Sequence, residues 1–569
     1  MSLADRLVAA LTGSAGSFRE TVAEKRASPI SDEAGVGLEP GRRPEGGLKA
    51  PGRPSHELRL GALAILCISL LIVSLDSTIL NVALPVIARD LKASSSELQW
   101  IVDSYTTVFA GLLLVLGSLG DRFGRKWILL AGLTVFGAGS CASAFATSPA
   151  MLIATRGAMG IGGAAIMPST LSLLTSIFTE PADRARAIGL WSGTTGLGVA
   201  IGPVVGGWLL AHYWWGSVLL VNVPIAAIGI AAAWIVIPNS RDEAASRPDP
   251  LGALLSTIGM AALLFAIIEA PSRSWSSPVV LAALAGGIAL LSLFGLHERR
   301  SAHPMLKLSF FSSRRFSVAM AAMGLVMFAL MGGLFLFTQY LQFSLGFTPL
   351  EAGLRIFPVA GTLIVLAPLS TLFTRRLGTK PVVFTGMVLI AGGLALLSST
   401  TAAGGYGESL PGFLLIGAGA GLSFAPCTDS VMGSLPPSQT GIGSATNGAA
   451  LQTGGALGVG VLGSLLNGRY AARIGPVLVA HKAPVAVASL VKGSLGGAIA
   501  VAARIGGSLG AALAALAREA FLSGYDLAVS VAAVVVAIAA LVIVFLLPNR
   551  ASPPRSWSET TSEVEEPHR

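Results

Sequence analysis

Charge is what this chain has least of. Of its 569 residues only 12% are Asp, Glu, Lys or Arg, against 53% with apolar side chains, and the mean hydropathy is +0.74. A soluble core cannot hide that much apolar surface, so composition excludes a water-soluble globular fold and points to the bilayer as solvent. Cysteine is scarce as well: Cys67, Cys141 and Cys427 lie far apart within apolar stretches, which excludes a disulfide ladder and any cysteine-based metal spacing. The histidines, at positions 56, 212, 297, 303, 481 and 568, form no ligand pattern. Neither a metal site, a cofactor nor a catalytic cluster is therefore expected, and the chain does not read as an enzyme. No apolar signal core opens the chain, because residues 1–55 are polar and rich in Gly, Pro and Arg. The net charge of +9 sits in tails and connections rather than on one compact face, so nucleic acid is not an expected partner.

What the chain has in quantity is apolar sequence in membrane-length runs. A spanning helix needs about 20 apolar residues, and fourteen such runs can be read: 60–84, 98–118, 127–146, 150–178, 185–211, 216–237, 251–270, 277–296, 316–343, 351–373, 381–400, 410–434, 440–467 and 524–547. Lys and Arg concentrate in alternate connections. Arg122, Arg125, Lys126, Arg184, Arg186, Arg299, Arg300, Arg375, Arg376 and Lys380 fall on one side, whereas the short connections opposite hold Arg89, Lys92 and Arg273. By the positive-inside rule both termini are expected in the cytoplasm, with the protein a multi-pass resident of the inner (cytoplasmic) membrane. The connection 468–523 strains that rule with Arg469, Arg473, Lys482, Lys492, Arg504 and Arg518, and is expected to be an extracellular hairpin, with an extra span that buries Arg504 as the alternative.

An internal repeat organises the runs. Leu119, Gly124 and Lys126 after the second run echo Leu372, Gly378 and Lys380 after the tenth; Gly160, Gly162 and Pro168 in the fourth echo Gly419, Gly421 and Pro426 in the twelfth; the fifth and thirteenth are both glycine-rich. Each echo is displaced by eight runs, so the simplest architecture is two six-helix bundles with two inserted helices between them. The expected organisation is a disordered cytoplasmic tail over 1–56, an N-terminal bundle over 57–238, the inserted helices and linkers over 239–315, a C-terminal bundle over 316–547 and a cytoplasmic tail over 548–569.

Several runs carry polar groups that a purely structural helix does not need. Asp76 lies inside LDSTILNVALP, Leu75 to Pro85, where a carboxylate costs about 2.5–3.5 kcal/mol to insert. Low dielectric favours the neutral form of an acid, so Asp76 is expected to take up and release a proton. Arg156, in LIATRGAMGIGGAA, needs an acidic partner at that depth, and the first run supplies the candidate. Asp103 in the second run and Asp429 beside Pro426 in the twelfth are candidates for recognising substrate or a cation. GSLGDRFGRK, Gly117 to Lys126, combines glycines that permit a reversal with charges that can pair across it. Glycines four apart in the fifth run clear one face for close packing, and Pro203 bends it.

These segments together resemble the major facilitator superfamily, specifically its fourteen-helix drug:proton antiporter branch of the QacA/EmrB type, over about residues 58–470. Trp214-Trp215-Gly216-Ser217 and Asn222-Val223-Pro224 look like the same branch. The resemblance implies an all-α membrane protein of the major facilitator fold, working as a monomer and driven by the proton gradient with no cofactor. It implies proton coupling at Asp76 and Arg156, a conformational latch at Gly117, Asp121, Arg122, Gly124, Arg125 and Lys126, and an antiporter motif at Gly189, Gly198, Gly202, Pro203, Gly206 and Gly207. It implies export of small lipophilic drugs or toxic compounds, cationic ones foremost; export of an endogenous lipid, siderophore or metabolite is the alternative. The chain departs from the family pattern at Met159, where glutamine is usual, and at Asn447, Gly448 and Gln452 in the thirteenth run, where relatives carry acids.

Overall fold

The computed structural model describes residues 56–241, 248–301, 304–401, 404–435, 440–481 and 483–548, and every regular element among them is helical. The tails expected over 1–56 and 548–569 lie outside the described residues, apart from their innermost positions. The first half is α1 (His56–Asp90), α2 (Ser95–Phe123), α3 (Arg125–Ala144), α4 (Pro149–Ile177), α5 (Pro181–His212) and α6 (Ser217–Val236). Next come α7 (Pro250–Arg273) and α8 (Pro278–Arg300). The second half is α9 (Arg314–Gln339, continued by a wider turn Tyr340–Ser344), α10 (Pro349–Leu377), α11 (Thr379–Ser398), α12 (Gly405–Met432), α13 (Thr440–Ala480), the short α14 (Val485–Gly493) and α15 (Leu495–Ile505), and α16 (Gly507–Leu546). Fourteen of these are long and apolar enough to cross a membrane.

The repeat is visible in the backbone. Helix α2 opens with a capping box in which Ser94 and Glu97 satisfy each other's backbone N–H groups, and α10, eight spans later, opens with the same device built from Thr348 and Glu351. Both helices end at a glycine with positive φ, Gly124 at 117° and Gly378 at 91°, a conformation that L side chains rarely adopt. The next helix starts at once, so each α2–α3 and α10–α11 reversal is fixed at both ends.

Two boundaries differ from the sequence reading. Instead of a hairpin over 468–523, α13 continues to Ala480 and the last helix begins at Gly507. Arg469 and Arg473 ended the apolar run, but their side chains lie against α16, where Arg469 donates to Ser523 at 3.2 Å and Arg473 approaches Glu519 at 3.9 Å. Helical propensity therefore outlasts the apolar pattern. What remains as a connection is α14 and α15, and α15 packs on the end of α1, with Gly496 against Ala88.

The halves meet along two seams, α2 with α13 and α5 with α10. At the end where α1 joins α2 the contact is backbone-close: a Cβ on Gly207 would lie 2.6 Å from the Leu350 Cα, and Gln342 donates to the Val82 carbonyl at 2.9 Å. Along the same stripe of α5 toward its other end, Gly196, Gly193 and Gly189 face nothing within 4 Å. That other end carries Arg122, Arg125, Lys126, Arg375, Arg376 and Lys380 and is called the basic end below. The halves are thus closed at one end and parted toward the other. Helix α7 straddles the α2–α13 seam near the closed end, where its Ile268 carbonyl accepts from Ser96 and its Ile267 carbonyl from Ser464.

Candidate functional site

Asp76, on α1, is fully buried inside the N-terminal half. Its carboxylate accepts from the Arg156 Nη1 of α4 at 2.5 Å and from the Asn222 Nδ2 of α6 at 3.1 Å. Asn222 also donates to the Ser140 hydroxyl of α3, whose own O–H donates to the Leu219 carbonyl. Arg156 in turn reaches α2: its Nε donates to the Ile101 carbonyl at 3.2 Å, and its guanidinium stacks over the Tyr105 ring at 4.5 Å. The pair expected from sequence is therefore brought together, and it ties five helices of one half to each other. It lines neither of the cavities between the halves; its near neighbour Thr78 does.

Asp103 is also fully buried, but its surroundings are the opposite. It sits on α2 at the closed seam, its Oδ2 3.5 Å from where a Cβ on Gly460 of α13 would be, with Leu264 of α7 beside that glycine. No cation pairs with it among the described residues, and the Thr106 hydroxyl nearby is turned to the Val102 and Asp103 carbonyls. A charge there is uncompensated. One turn away Gln99 packs under Gly463 and accepts from Ser464 at 3.4 Å, so the seam is polar where it is tightest. Asp429, by contrast, is exposed, less than a turn from the end of α12, and lines neither cavity.

At the basic end the GSLGDRFGRK loop is held inside its own half. Asp121 and Arg125 pair at 2.7 Å, Arg125 donates to the Ser172 carbonyl of α4, and Lys126 donates to the Trp234 carbonyl of α6 at 2.7 Å. Gly117 passes Pro168 of α4, and Arg122 lies over the Phe123 ring. At Gly124 a side chain would also strike Asn239. The α5 glycines divide by face: Gly198, Gly202 and Gly206 admit α1, whereas Gly207 and the Pro203 carbonyl meet α10 across the seam. Gly189 meets nothing.

Sequence reasoning missed Ser140 and Gln99, gave Asn222 no task, and saw Tyr105 only as one of several aromatics able to stack on a cationic substrate, not as the ring under Arg156. Uncharged polar and aromatic residues are ordinary in membrane helices, and only their convergence on a buried ion pair or a seam marks these four.

Two helical halves related by an internal repeat, closed at one end, parted at the other and carrying buried acids, define a membrane transporter of the rocking type. The chain belongs to the Major Facilitator Superfamily, whose family model matches residues 66–459. It is similar to the tetracenomycin C resistance and export protein of Streptomyces glaucescens, at 33% identity over 88% of this chain and 93% of that one. It is likewise similar to the multidrug efflux pump LfrA of Mycolicibacterium smegmatis, at 35% identity over 85% of this chain and 95% of the other. Among solved structures it shares its fold with a bacterial homolog of the human lysosomal transporter Spinster in an inward-facing, unoccupied conformation, with a TM-score of 0.61 at 19% identity over 88% of this chain and all of the other.

Proposed function

We propose that this protein exports drug-like small molecules across the cell membrane by alternating access, exchanging them for protons. Relatives that match nearly their whole length are named for resistance and export, and the charge asymmetry of the connections supports a cytoplasmic basic end and cytoplasmic termini. The parted end then faces the cytoplasm, where cargo is collected. The observation that carries the coupling is the contrast between two buried acids on neighbouring helices.

Both Asp103 carboxyl oxygens are buried in the closed seam without a hydrogen-bond partner among the described residues, so closing the seam costs more on a charged carboxylate than on a neutral acid. Opening the α2–α13 seam to the far side exposes it to water, where it exchanges its proton. Asp76 works behind it: Arg156 holds both Asp76 and the α2 backbone at Ile101. Neutralising Asp76 loosens the arginine's grip on the helix that forms the seam, so protonation and seam movement bias one another. The Asp121–Arg125 loop braces the inner end of α2 during that movement. The protein acts as a monomer and needs no cofactor.

The test is transport by the full-length chain in proteoliposomes. An imposed proton gradient is expected to drive ethidium uphill, and collapsing it with an uncoupler to stop accumulation. Ethidium movement that ignores the gradient, or that persists unchanged in Asp103→Asn and Asp76→Asn, refutes proton exchange.

A further inference from the structure

We infer that the larger cavity between the halves is a loading site for uncharged lipophilic molecules, drawn sideways from the bilayer beneath the inserted helices α7 and α8. The inference rests on the export reading and names a cargo class for it.

The cavity holds about 630 Å³, within the range of roughly 300–1,000 Å³ typical of sites for drug-sized ligands. Its walls come from α2, α7, α8, α9, α13 and the strap 305–311 that joins the inserted pair to the second half. Every side chain in the lining is apolar or a serine or threonine; no Asp, Glu, Lys, Arg or His contributes. A cation here would lose its water and gain no counter-charge, whereas a neutral molecule would lose little. The wall also holds an unpaired hydroxyl: Thr107 is a lining residue, and its Oγ1 is buried behind the cavity surface with no hydrogen-bond partner among the described residues, within a side-chain rotation of the space. That hydroxyl suits a carbonyl or ether oxygen on the ligand. Met260, Met305 and Met320, from three different segments of the wall, supply unbranched, adaptable surface that accommodates varied shapes.

The position gives the route. Near the closed end α7 seals the seam through Ile267 and Ile268, but toward the basic end its Ser256 and Met260 stand over the cavity instead. Helix α8 offers Leu291 and Phe294 to the cavity and leaves Leu281, Ile288, Leu293 and Leu296 exposed, a face fit for lipid. Phe311 does both, lining the cavity while 40% exposed, and so marks the mouth. The strap is anchored by Glu298, buried on α8, which accepts from the Leu306 N–H at 3.1 Å. A solute dissolved in the leaflet at the basic end reaches the cavity past Phe311 without crossing water. The inserted pair belongs to neither repeat, and roofing this chamber gives it a task that rocking alone does not require.

Binding and transport separate the possibilities. Nile red, a neutral lipophile, is titrated into the purified full-length protein in nanodiscs against protein-free nanodiscs, and ethidium transport is measured in parallel. Filling the cavity with Ala450→Trp is expected to weaken Nile red binding at least tenfold, and the near-isosteric Thr107→Val to weaken it a few-fold, each by more than it lowers ethidium transport. Ile288→Trp, on the lipid face of α8, is expected to change neither. Thr107→Val keeps the test valid if the tryptophan variant does not fold. Unchanged Nile red affinity in both cavity variants overturns the inference, as does equal loss of Nile red binding and ethidium transport. Cavity-dependent Nile red binding in a protein that moves nothing under a proton gradient leaves the site standing and removes the export reading instead.

Discussion

At the scale of single residues, the two buried acids should respond to substitution in opposite ways. Removing Arg156 leaves Asp76 as a charge without its partner, a loss of about 3–5 kcal/mol for a buried pair. Arg156→Ala is therefore expected to give little folded protein by size-exclusion chromatography, and the double variant Arg156→Ala with Asp76→Asn to recover much of it, since the stranded charge is gone. Failure of the second change to restore yield would show that the arginine matters for its hold on Ile101 and Tyr105 instead. Asp103 has no partner to strand. Asp103→Asn is expected to keep or slightly raise thermal stability while flattening the dependence of export on pH. The Asp76–Arg156 pair was legible in the sequence because charges inside apolar runs stand out and must find one another. The difference between the two acids was not, since it depends on what faces each across helices far apart in the chain: Asn222 and Arg156 for one, Gly460 and Leu264 for the other.

At the scale of helices, what the sequence reveals well is periodic and local: run lengths, and the echo of the glycines at 124 and 378 after the second and tenth runs; the capping boxes of α2 and α10 appear only in the structure. The sequence reveals less where two signals disagree, as between Leu466 and Ala480, where the apolar run stops at Arg469 and the helix does not. It also could not divide the α5 glycines by face. Gly198, Gly202 and Gly206 serve packing within one half, whereas the approach of Pro203 to Gly353 serves closure. A Cβ at Gly353 would come within 2.1 Å of the Pro203 carbonyl oxygen, so Gly353→Val should prevent that end from closing while leaving each half intact. Export is expected to fall at least tenfold, and a cysteine placed at Val82, buried beside Gln342 in the closed seam, to become reactive toward a membrane-impermeant maleimide added from outside. Normal transport with Gly353→Val would mean the α5–α10 seam never needs to close this tightly.

At the scale of the whole molecule, the coupling scheme fixes how each half of the proton-motive force acts. Moving one elementary charge down 100 mV releases about 2.3 kcal/mol, which sustains roughly a fifty-fold gradient of a neutral solute per proton exchanged. A neutral cargo leaving as one proton enters moves net charge, so a potassium diffusion potential with no pH difference should drive its export. A monovalent cation exchanged for one proton moves no net charge, so the same potential should leave its distribution unchanged, while a pH difference drives both. The molecule contains features suited to each cargo, an apolar chamber without ionisable groups and a seam with an acid in it, and a shared one-proton cycle gives them distinct electrical signatures. Measured in one proteoliposome preparation with Nile red and ethidium, equal response of the two dyes to potential alone would rule out a fixed one-for-one exchange. A response confined to the neutral dye would place both cargoes on the same proton.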